Sequence, residues 1–479
     1  MQRLRIQDWS LGKVARAMNG RLTGQTIGMV SPRLVTTDTR AIEGGEIFFA
    51  LRGERFDGHD FLEDAVDAGV CAVVVDDESA IPSGRAAAII VDDTIEALGR
   101  LGQALFREAT QEGMRAVAVT GSNGKTTTKE LLATLWSTVG EVWATPGNLN
   151  NHIGVPLTLC AMPADCDHLI VEMGANHGGE IEELIKLAPA SHRIITSIGS
   201  AHLEGFGSLA GVRKAKSEIF GSSSRATTAI VPHGEREHVI PKKFTGHVIT
   251  FGDQPEADAR IVEARTTTVD GRIGTQVVID AARRKWHLSL PLVGAYNAWN
   301  LAAALSTLLS EGVDVDEGEL NAALASLELP GGRLRVVEID ELQILNDAYN
   351  ANPSSMRASF GAFRDWCSGD EIPGDTVAVI GDMFELGEVA DREHQSLALW
   401  LAEQPGLSAL VFVGQYGPAM AEAASGRRVD QVLDCSDLDE VAQWLAERGP
   451  TRVFLKGSRG NKLERLLERL KAKSQNVMS

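Results

Sequence analysis

A glycine-rich loop that ends in lysine is the clearest chemical signal in the sequence. It follows an apolar segment and precedes a helical one. Glycines let the backbone wrap around phosphate oxygens, and the N–H groups at the start of a helix point toward an anion. Lys125 adds a charge for the β and γ phosphates, and the Thr126 hydroxyl can bind Mg²⁺. The residues predicted to bind a nucleotide are Gly121, Ser122, Asn123, Gly124, Lys125, Thr126 and Thr127.

This loop departs from the usual G-x-x-x-x-G-K-[ST] spacing, because the first glycine would fall at Val119. The alternative is a glycine-rich turn that carries a surface lysine. The context of strand, loop and helix favours nucleotide binding. The loop alone does not indicate what happens to the γ-phosphate.

Two further residues follow strands at the edge expected for this loop. Glu172 ends an apolar strand, and His202 follows the next one. The carboxyl ends of parallel strands meet at one edge, and Mg²⁺ prefers oxygen ligands. Glu172 is therefore a candidate metal ligand, with a helix cap as the alternative, and His202 fits a structural or a functional role equally well. Lys214 and Lys216 share a helical segment, where residue types favour a solvated face and do not distinguish the two.

These residues require a sheet whose strands end at a common edge. Apolar strands over 115–120, 168–173 and 193–198 alternate with helices that start at 125 and 180, which is typical of a parallel, doubly wound sheet. Residues 226–292 alternate more strictly and predict an antiparallel appendage.

The 479 residues predict about three domains. We expect an α/β protein with a small α/β module over 1–93 and a central, mostly parallel, doubly wound domain over 94–327. A C-terminal Rossmann-like α/β domain is expected over 328–479, with a glycine-rich hinge near its start, at 329–332.

The composition excludes several classes of protein. With 46 Lys plus Arg against 65 Asp plus Glu, the formal net charge is −19, which opposes binding to nucleic acid or an anionic membrane surface. An anionic small substrate would need local cations. Five scattered cysteines without a CxxC pair fit a reducing cytoplasm. No secretory segment or run of about 18 apolar residues is visible, so a cytoplasmic location is expected.

Several strings of residues together resemble the Mur ligase family. They are the phosphate loop over 120–126 and residues 147–156, 172–177, 201–207, 347–353, 381–387 and 456–459. One such string would be a weak signal, but several in the same order make the resemblance specific. It covers essentially the whole chain and explains the shortened phosphate loop.

The resemblance implies an ATP-dependent ligase of cell-wall precursor synthesis, joining D-alanyl-D-alanine to a UDP-N-acetylmuramoyl-tripeptide through an acyl phosphate. It implies ATP, Mg²⁺ and a CO₂-derived carbamate on Lys216, which requires a site that lowers the pKa of that lysine. We expect small-molecule substrates and a monomer. The implied catalytic residues are Lys125, Glu172, His202 and Lys216. The implied metal ligands are Thr126, Glu172, His202 and Lys216 as its carbamate.

The resemblance also implies substrate-binding residues. Asn297 and Asn300 would contact adenine, with Tyr296 where the family commonly has histidine, and Arg333 and Asp347 would reach the nucleotide from the third block. The UDP-substrate set is Thr37, Asp38, Thr39, Arg40, Phe49, Arg52, Asn148 and Asn151. The dipeptide set is Asn350, Lys456, Ser458 and Arg459.

Other activities share parts of this pattern. A sister ligase that adds a diamino acid or glutamate, and a folylpolyglutamate-type ligase, would share the phosphate loop, but residues 148–156 and 381–387 oppose both. A nucleotide-binding switch would leave the first block without a task. A kinase would leave the third sheet unexplained. For Arg40 and Arg52 the alternative is simple solvation, and for Arg333 and Asp347 it is a surface salt bridge.

Overall fold

The strands form three sheets, one in each of the expected blocks. This computed structural model describes residues 3–24, 31–53, 56–82, 87–199, 203–269, 272–331, 333–368 and 374–477. The α/β class with three sheets is confirmed.

The first sheet has the order β1-β5-β4-β3-β2. Its strands are β1 (Arg21–Thr23), β2 (Val35–Thr36), β3 (Ile47–Phe49), β4 (Ala72–Val75) and β5 (Ala87–Ile90). β2 to β5 are parallel, and β1 is antiparallel at the edge. Helices α1 (Leu11–Ala17) and α2 (Leu62–Asp67) pack on opposite faces.

A long helix, α3 (Thr94–Gln111), connects the first two sheets. Asp93 caps it by accepting a hydrogen bond from Glu96 N at 2.8 Å. Leu98 and Leu101 lie in the core of the first block, whereas Phe106 lies in a core of the central block. The helix therefore fixes the position of the first sheet on the central one.

The central sheet has nine strands in the order β14-β13-β12-β11-β10-β9-β6-β8-β7. Its strands are β6 (Arg115–Thr120), β7 (Val142–Ala144), β8 (His168–Glu172), β9 (His192–Ile195), β10 (Thr228–Pro232), β11 (His247–Gly252), β12 (Ala259–Val269), β13 (Arg272–Ala281) and β14 (Arg284–Leu290). Its helices are α4 (Lys125–Trp136), α5 (Gly154–Cys160), α6 (Glu180–Leu187), α7 (Leu203–Phe206), α8 (Leu209–Ser217), α9 (Arg236–Val239), α10 (Asn297–Ser310) and α11 (Glu317–Ala325).

Strand β6 shows why this sheet needs helices on both sides. Val117 and Val119 point into a core with α4, α10 and α11, and Ala116 and Ala118 point into a second core with α5 and α6. A parallel strand that is apolar on both faces is stable only when both are covered.

The expected antiparallel appendage is correct only in part. β12, β13 and β14 are antiparallel to one another, but β10 and β11 continue the parallel sheet from β9. The reason is that Ile230 and Phe251 are buried against the same core as β6, so these strands extend the sheet and do not form a separate layer.

The third sheet has the order β15-β16-β20-β17-β18-β19 and is parallel except for β15. Its strands are β15 (Arg335–Ile339), β16 (Leu342–Asp347), β17 (Asp375–Gly381), β18 (Ala409–Val413), β19 (Gln431–Cys435) and β20 (Thr451–Lys456). Helices α12 (Pro353–Ser368), α13 (Ala390–Ala402) and α14 (Gly417–Ala424) cover one face, and α15 (Leu438–Ala446) and α16 (Glu464–Val477) the other.

Within the described ranges, no helix combines the length and the apolar character needed to cross a bilayer.

Candidate active site

The phosphate loop lies between β6 and α4, as the sequence predicts. Gly121 and Gly124 have φ angles of 148° and 81°, which strain any residue with a side chain. A Cβ atom on Gly121 would lie 2.0 Å from Thr196 Oγ1, and one on Gly124 would lie 2.3 Å from Asn300 Oδ1. Both positions therefore require glycine. The buried hydroxyl residues of the loop are Ser122, Thr126 and Thr127.

Charged groups from two blocks act on Lys125. Desolvation lowers the pKa of Lys125, and the charge of Arg333 from the third block lowers it further. The charges of Glu172 and Glu385 have the opposite effect and raise this pKa. Arg333 Nε is buried and has no hydrogen-bond partner within the described ranges. Two cations that face one loop form an electropositive pocket suited to phosphate groups.

Glu172 has one carboxylate oxygen satisfied and one not. Oε1 accepts a hydrogen bond from Asn150 Nδ2 at 2.8 Å, whereas Oε2 is buried without a partner among the described residues. Such an oxygen is costly to leave unpaired and fits a hard cation. No group of three His, Cys, Asp or Glu side chains that could hold a metal occurs in the described part of the chain. The predicted ligand His202 lies outside it.

Lys216 is buried, and its neighbour Lys214 is exposed, which distinguishes the two lysines that sequence alone could not. Lys216 Nζ lies 3.5 Å from Ala175 O and 5.2 Å from the centre of the Phe206 ring. Among the described residues, no carboxylate oxygen lies within 4.0 Å of it. Burial lowers the pKa of Lys216 to about 7, with a further contribution from the charge of Lys125.

Two residues that the sequence did not single out support Glu172. One is Asn150, which holds Oε1. The other is Lys129, which is fully buried and donates to Thr145 O at 2.7 Å; the Thr145 hydroxyl in turn accepts from Glu172 N at 2.9 Å. Lys129 lies one helical turn after Lys125, and its place on the buried face of α4 was the available signal.

The asparagines predicted to contact the UDP substrate beside Glu172 are exposed. Asn148 lies at the surface of the loop between β7 and α5. Asn151 Oδ1 accepts from Gly154 N at 2.8 Å and caps α5, so part of that side chain has a structural role.

In the first block, the predicted UDP-binding cations follow the carboxyl ends of β2 and β3. Arg40 forms a two-pronged ion pair with Asp38, at 2.8 and 2.7 Å. Arg52 bonds to Asp76 at 3.0 Å and also to Asp57. Phe49 lies within the core, with none of its surface exposed. The two threonines of this set, Thr37 and Thr39, are partly exposed.

The two asparagines predicted to contact adenine lie at the start of α10. Asn300 Nδ2 donates to Asn297 Oδ1 at 3.2 Å, and Asn297 Nδ2 donates to Val293 O at 3.1 Å. Asn300 Oδ1 accepts from the Thr128 hydroxyl at 3.3 Å. Both amides are therefore engaged within the protein, and Asn300 contacts the helix that follows the phosphate loop.

The predicted dipeptide residues divide into buried and exposed members. The ammonium of Lys456 pairs with the buried Asp347 carboxylate and donates to Asn350 O at 2.9 Å. The Ser458 hydroxyl accepts from the N–H of residue 384 at 2.9 Å. Arg459 is largely exposed, although it pairs with a carboxylate at 3.0 Å. Arg459 and Arg333 lie 5.8 and 3.9 Å from the same ring, that of Tyr349.

The central and third blocks are joined by hydrogen bonds at the phosphate loop. Asn123 Nδ2 donates to Ser354 Oγ at 2.9 Å, and Asn123 Oδ1 accepts from Asn352 Nδ2 at 2.8 Å. Neither Ser354 nor Asn352 was predicted to be a site residue.

Three family descriptions match along the chain. "Mur ligase family, catalytic domain" matches residues 33–105, "Mur ligase middle domain" residues 119–308 and "Mur ligase, glutamate ligase domain" residues 332–459.

Curated relatives and solved structures match nearly the whole chain. A UDP-N-acetylmuramoyl-tripeptide–D-alanyl-D-alanine ligase of Bacillus subtilis is 33% identical over 95% of this chain and 97% of the relative. The Escherichia coli protein of the same name is 34% identical over 96% and 98%. A crystal structure of MurF from Acinetobacter baumannii has a TM-score of 0.84 at 30% identity, over 97% of this chain and 99% of that one. MurF ligase from Thermotoga maritima in complex with ADP has a TM-score of 0.78 at 28% identity, over 92% and 98%.

Proposed function

The chain belongs to the Mur ligase family, and we propose that it uses ATP to join D-alanyl-D-alanine to a UDP-N-acetylmuramoyl-tripeptide. The observation that carries this proposal is the set of charges around the phosphate loop. The charge of Glu172 raises the pKa of Lys125, and the charge of Arg333 lowers it. The charge of Lys125 in turn lowers the pKa of the buried Lys216. Such a set suits the transfer of a phosphoryl group from a nucleotide.

The proposed reaction activates the carboxylate, because its oxygen is a poor leaving group. The γ-phosphoryl group of ATP passes to the terminal carboxylate of the tripeptide, which gives an acyl phosphate and ADP. The amine of D-alanyl-D-alanine attacks the acyl carbon, the tetrahedral intermediate expels phosphate, and the nitrogen loses a proton. Lys125 and Arg333 neutralise charge on the transferring oxygens.

We assign the metal site to Thr126, Glu172, His202 and Lys216. Glu172 Oε2 has no partner among the described residues, which supports this assignment, since Mg²⁺ takes oxygen ligands. When bound, Mg²⁺ neutralises phosphate charge and orders the reacting groups. A carbamate would form when neutral Lys216 attacks CO₂ and loses a proton, so that a cation becomes an anion that can bind Mg²⁺. The lowered pKa of Lys216 supports this chemistry.

Each outer block is assigned one substrate. We propose that Arg40 and Arg52 bind the UDP group, by exchanging their present carboxylate partners for phosphate oxygens. We propose that Arg459 grips the carboxylate of the dipeptide, because its guanidinium is largely exposed. Lys456 and Ser458 then shape that site, since their polar atoms are engaged within the protein.

We further propose a division into domains at 1–93, 94–327 and 328–479, a monomeric state and a cytoplasmic location. The three separate sheets support the division. The scattered, unpaired cysteines support a reducing compartment.

The decisive test is phosphate release from ATP and Mg²⁺, with the tripeptide substrate and D-alanyl-D-alanine each omitted in turn. Tripeptides ending in diaminopimelate and in lysine are assayed side by side, and the product mass is recorded. We expect release that requires both substrates and a pentapeptide product. Release that is indifferent to either substrate would indicate an ATPase, and release with a free amino acid as acceptor would indicate a sister ligase.

A further inference from the structure

The side chain of Asn123 in the phosphate loop is held at both ends by the third block. Its Nδ2 donates to Ser354 Oγ at 2.9 Å, Ser354 Oγ donates to Asn352 Oδ1 at 2.9 Å, and Asn352 Nδ2 donates to Asn123 Oδ1 at 2.8 Å. These three side chains close a ring of hydrogen bonds, which we call the Asn123 ring. Every donor in it faces an acceptor.

The start of α12 fixes the orientation of this ring. Asn352 Oδ1 accepts from Ser355 N at 2.9 Å, which is the usual arrangement of a helix N-cap. The oxygen of the Asn352 amide is thereby committed to the helix. Its nitrogen must then point outward, and only the oxygen of Asn123 can face it.

The backbone of Asn123 is held equally firmly by the central sheet. Asn123 N donates to Ser197 Oγ at 2.9 Å, and Asn123 O accepts from Thr196 Oγ1 at 2.6 Å. The side chain therefore belongs to the interface with the third block, while the backbone belongs to the central block. One residue of the loop carries both connections.

We propose that Asn352 and Ser354 are positioning residues that hold the phosphate loop in its binding conformation through Asn123. The loop then binds the phosphates of a nucleoside triphosphate fully only while the third block is docked on it. The part of this inference that concerns nucleotide affinity rests on the proposed function. The part that concerns the shape of the loop does not.

The test substitutes Asn352→Ser and Ser354→Ala in the full-length protein. Serine is also a good N-cap, so Asn352→Ser keeps α12 capped and neutral while it removes the N–H that reaches Asn123. Ser355→Ala is the matched control, because Ser355 Oγ bonds to the backbone of Asn352 and belongs to the same helix start without entering the ring.

We measure ADP affinity by calorimetry and the Michaelis constants for ATP and the dipeptide. Because Asn352→Ser and Ser354→Ala each lose one or two hydrogen bonds, we expect ADP affinity to fall and the KM for ATP to rise, each by about threefold to tenfold. The KM for the dipeptide should not change. Ser355→Ala should have wild-type values. A double variant that combines Asn123→Ala with Asn352→Ser should lose no more nucleotide affinity than the more severely affected of the two single variants, because both substitutions act on the Asn123 ring. Additive losses, or an Asn352→Ser variant with wild-type nucleotide affinity, would overturn the proposal.

Amide hydrogen exchange of residues 121–127 without nucleotide separates this proposal from the proposed function. We expect faster exchange in Asn352→Ser than in the wild type and in Ser355→Ala. If the wild type failed to bind nucleotide but the variant still showed faster exchange, the proposed function would fail and the positioning role would stand. Equal exchange in all three proteins would refute the positioning role.

Discussion

Lys129 on α4 and Lys216 on α8 are equally buried, at 1% exposure each, but they have opposite surroundings. Lys129 Nζ lies 2.8 Å from Glu130 Oε1 and 2.7 Å from Thr145 O. Lys216 has no carboxylate within 4.0 Å among the described residues, and its pKa falls to about 7. A buried ammonium is stable where partners replace its lost water and loses its proton readily where they do not.

The comparison teaches that burial alone does not make a lysine reactive. The carboxylate and carbonyl partners of Lys129 make it a support for the loop that carries Asn150. Lys216 lacks a close carboxylate among the described residues, and its lowered pKa favours the neutral amine that the proposed carbamylation requires. At equal burial, the hydrogen-bonding and ionic partners of the ammonium group distinguish a structural lysine from a candidate functional one.

The largest effect should come from Lys216→Ala. The substitution would remove the proposed carbamate, and with it a ligand for the metal that would stabilise the transferring phosphoryl group, so we expect kcat to fall by at least about 100-fold. Steady-state phosphate release measures this. Lys214→Ala, on the same helix but exposed, should retain wild-type activity. Near-normal activity of Lys216→Ala would refute the functional side of the comparison.

The pH dependence of carbamylation should be the next largest effect. Because the pKa of Lys216 is about 7, its amine is about 10% neutral at pH 6 and about 90% neutral at pH 8. Carbamylation needs the neutral form, so at a constant concentration of dissolved CO₂ the rate of carbamate formation should rise roughly tenfold over this range. The growth of the ¹³C NMR signal of the carbamate, with the labelled bicarbonate adjusted at each pH to hold dissolved CO₂ constant, measures this rate. A rate that is flat with pH would show that the lysine is not titrating there.

Lys129→Met should have a smaller effect. Methionine keeps an unbranched apolar stem but leaves Thr145 O without its donor, so the loop that presents Asn150 to Glu172 loosens. We expect kcat to fall by about fivefold to tenfold and the Mg²⁺ concentration for half-maximal activity to rise. Glu130→Gln, which spares the bond to Thr145, is the control and should show little change. An unaltered Mg²⁺ dependence in Lys129→Met would argue against a supporting role.

The smallest effect should come from Arg52→Ala, which tests a cation that is paired but exposed. Half of the Arg52 side chain is exposed, and its guanidinium pairs with Asp57 and Asp76 at the surface, so its removal should leave thermal stability unchanged within error. The KM for the UDP substrate should rise about threefold, since one charge-assisted contact is lost. An unchanged KM would show that Arg52 does not bind the UDP substrate and would favour the alternative of a solvated surface side chain.

The buried strands and helices could be predicted from sequence to within a few residues. β6 matches the expected segment 115–120, and α4 begins at the expected residue 125, because an apolar run bounded by glycine leaves few alternatives. β10 and β11 were assigned the wrong direction, because the alternation of a strand does not reveal whether its neighbour is parallel.

The placement of site residues could be predicted where one residue type is required at one spacing: the phosphate loop lies between β6 and α4, and Glu172 ends β8. What could not be predicted is which polar atoms are already engaged. Lys456 shares its motif with the exposed Arg459. Only packing shows that the side chains of Lys456 and Asn300 bond within the protein. Asn352 and Asn123 are separated by 229 residues, and no local pattern indicates their contact.

That separation has a consequence for the chain as it is made. At a synthesis rate of about 5–20 residues per second, the sequence separation of 229 residues from Asn123 to Asn352 corresponds to roughly 11–46 s. For that interval the nascent protein carries its phosphate loop without the partners that hold the loop in shape. The Asn123 ring can close only after the start of α12 has been translated, so the nucleotide site reaches its final form late in synthesis of the chain.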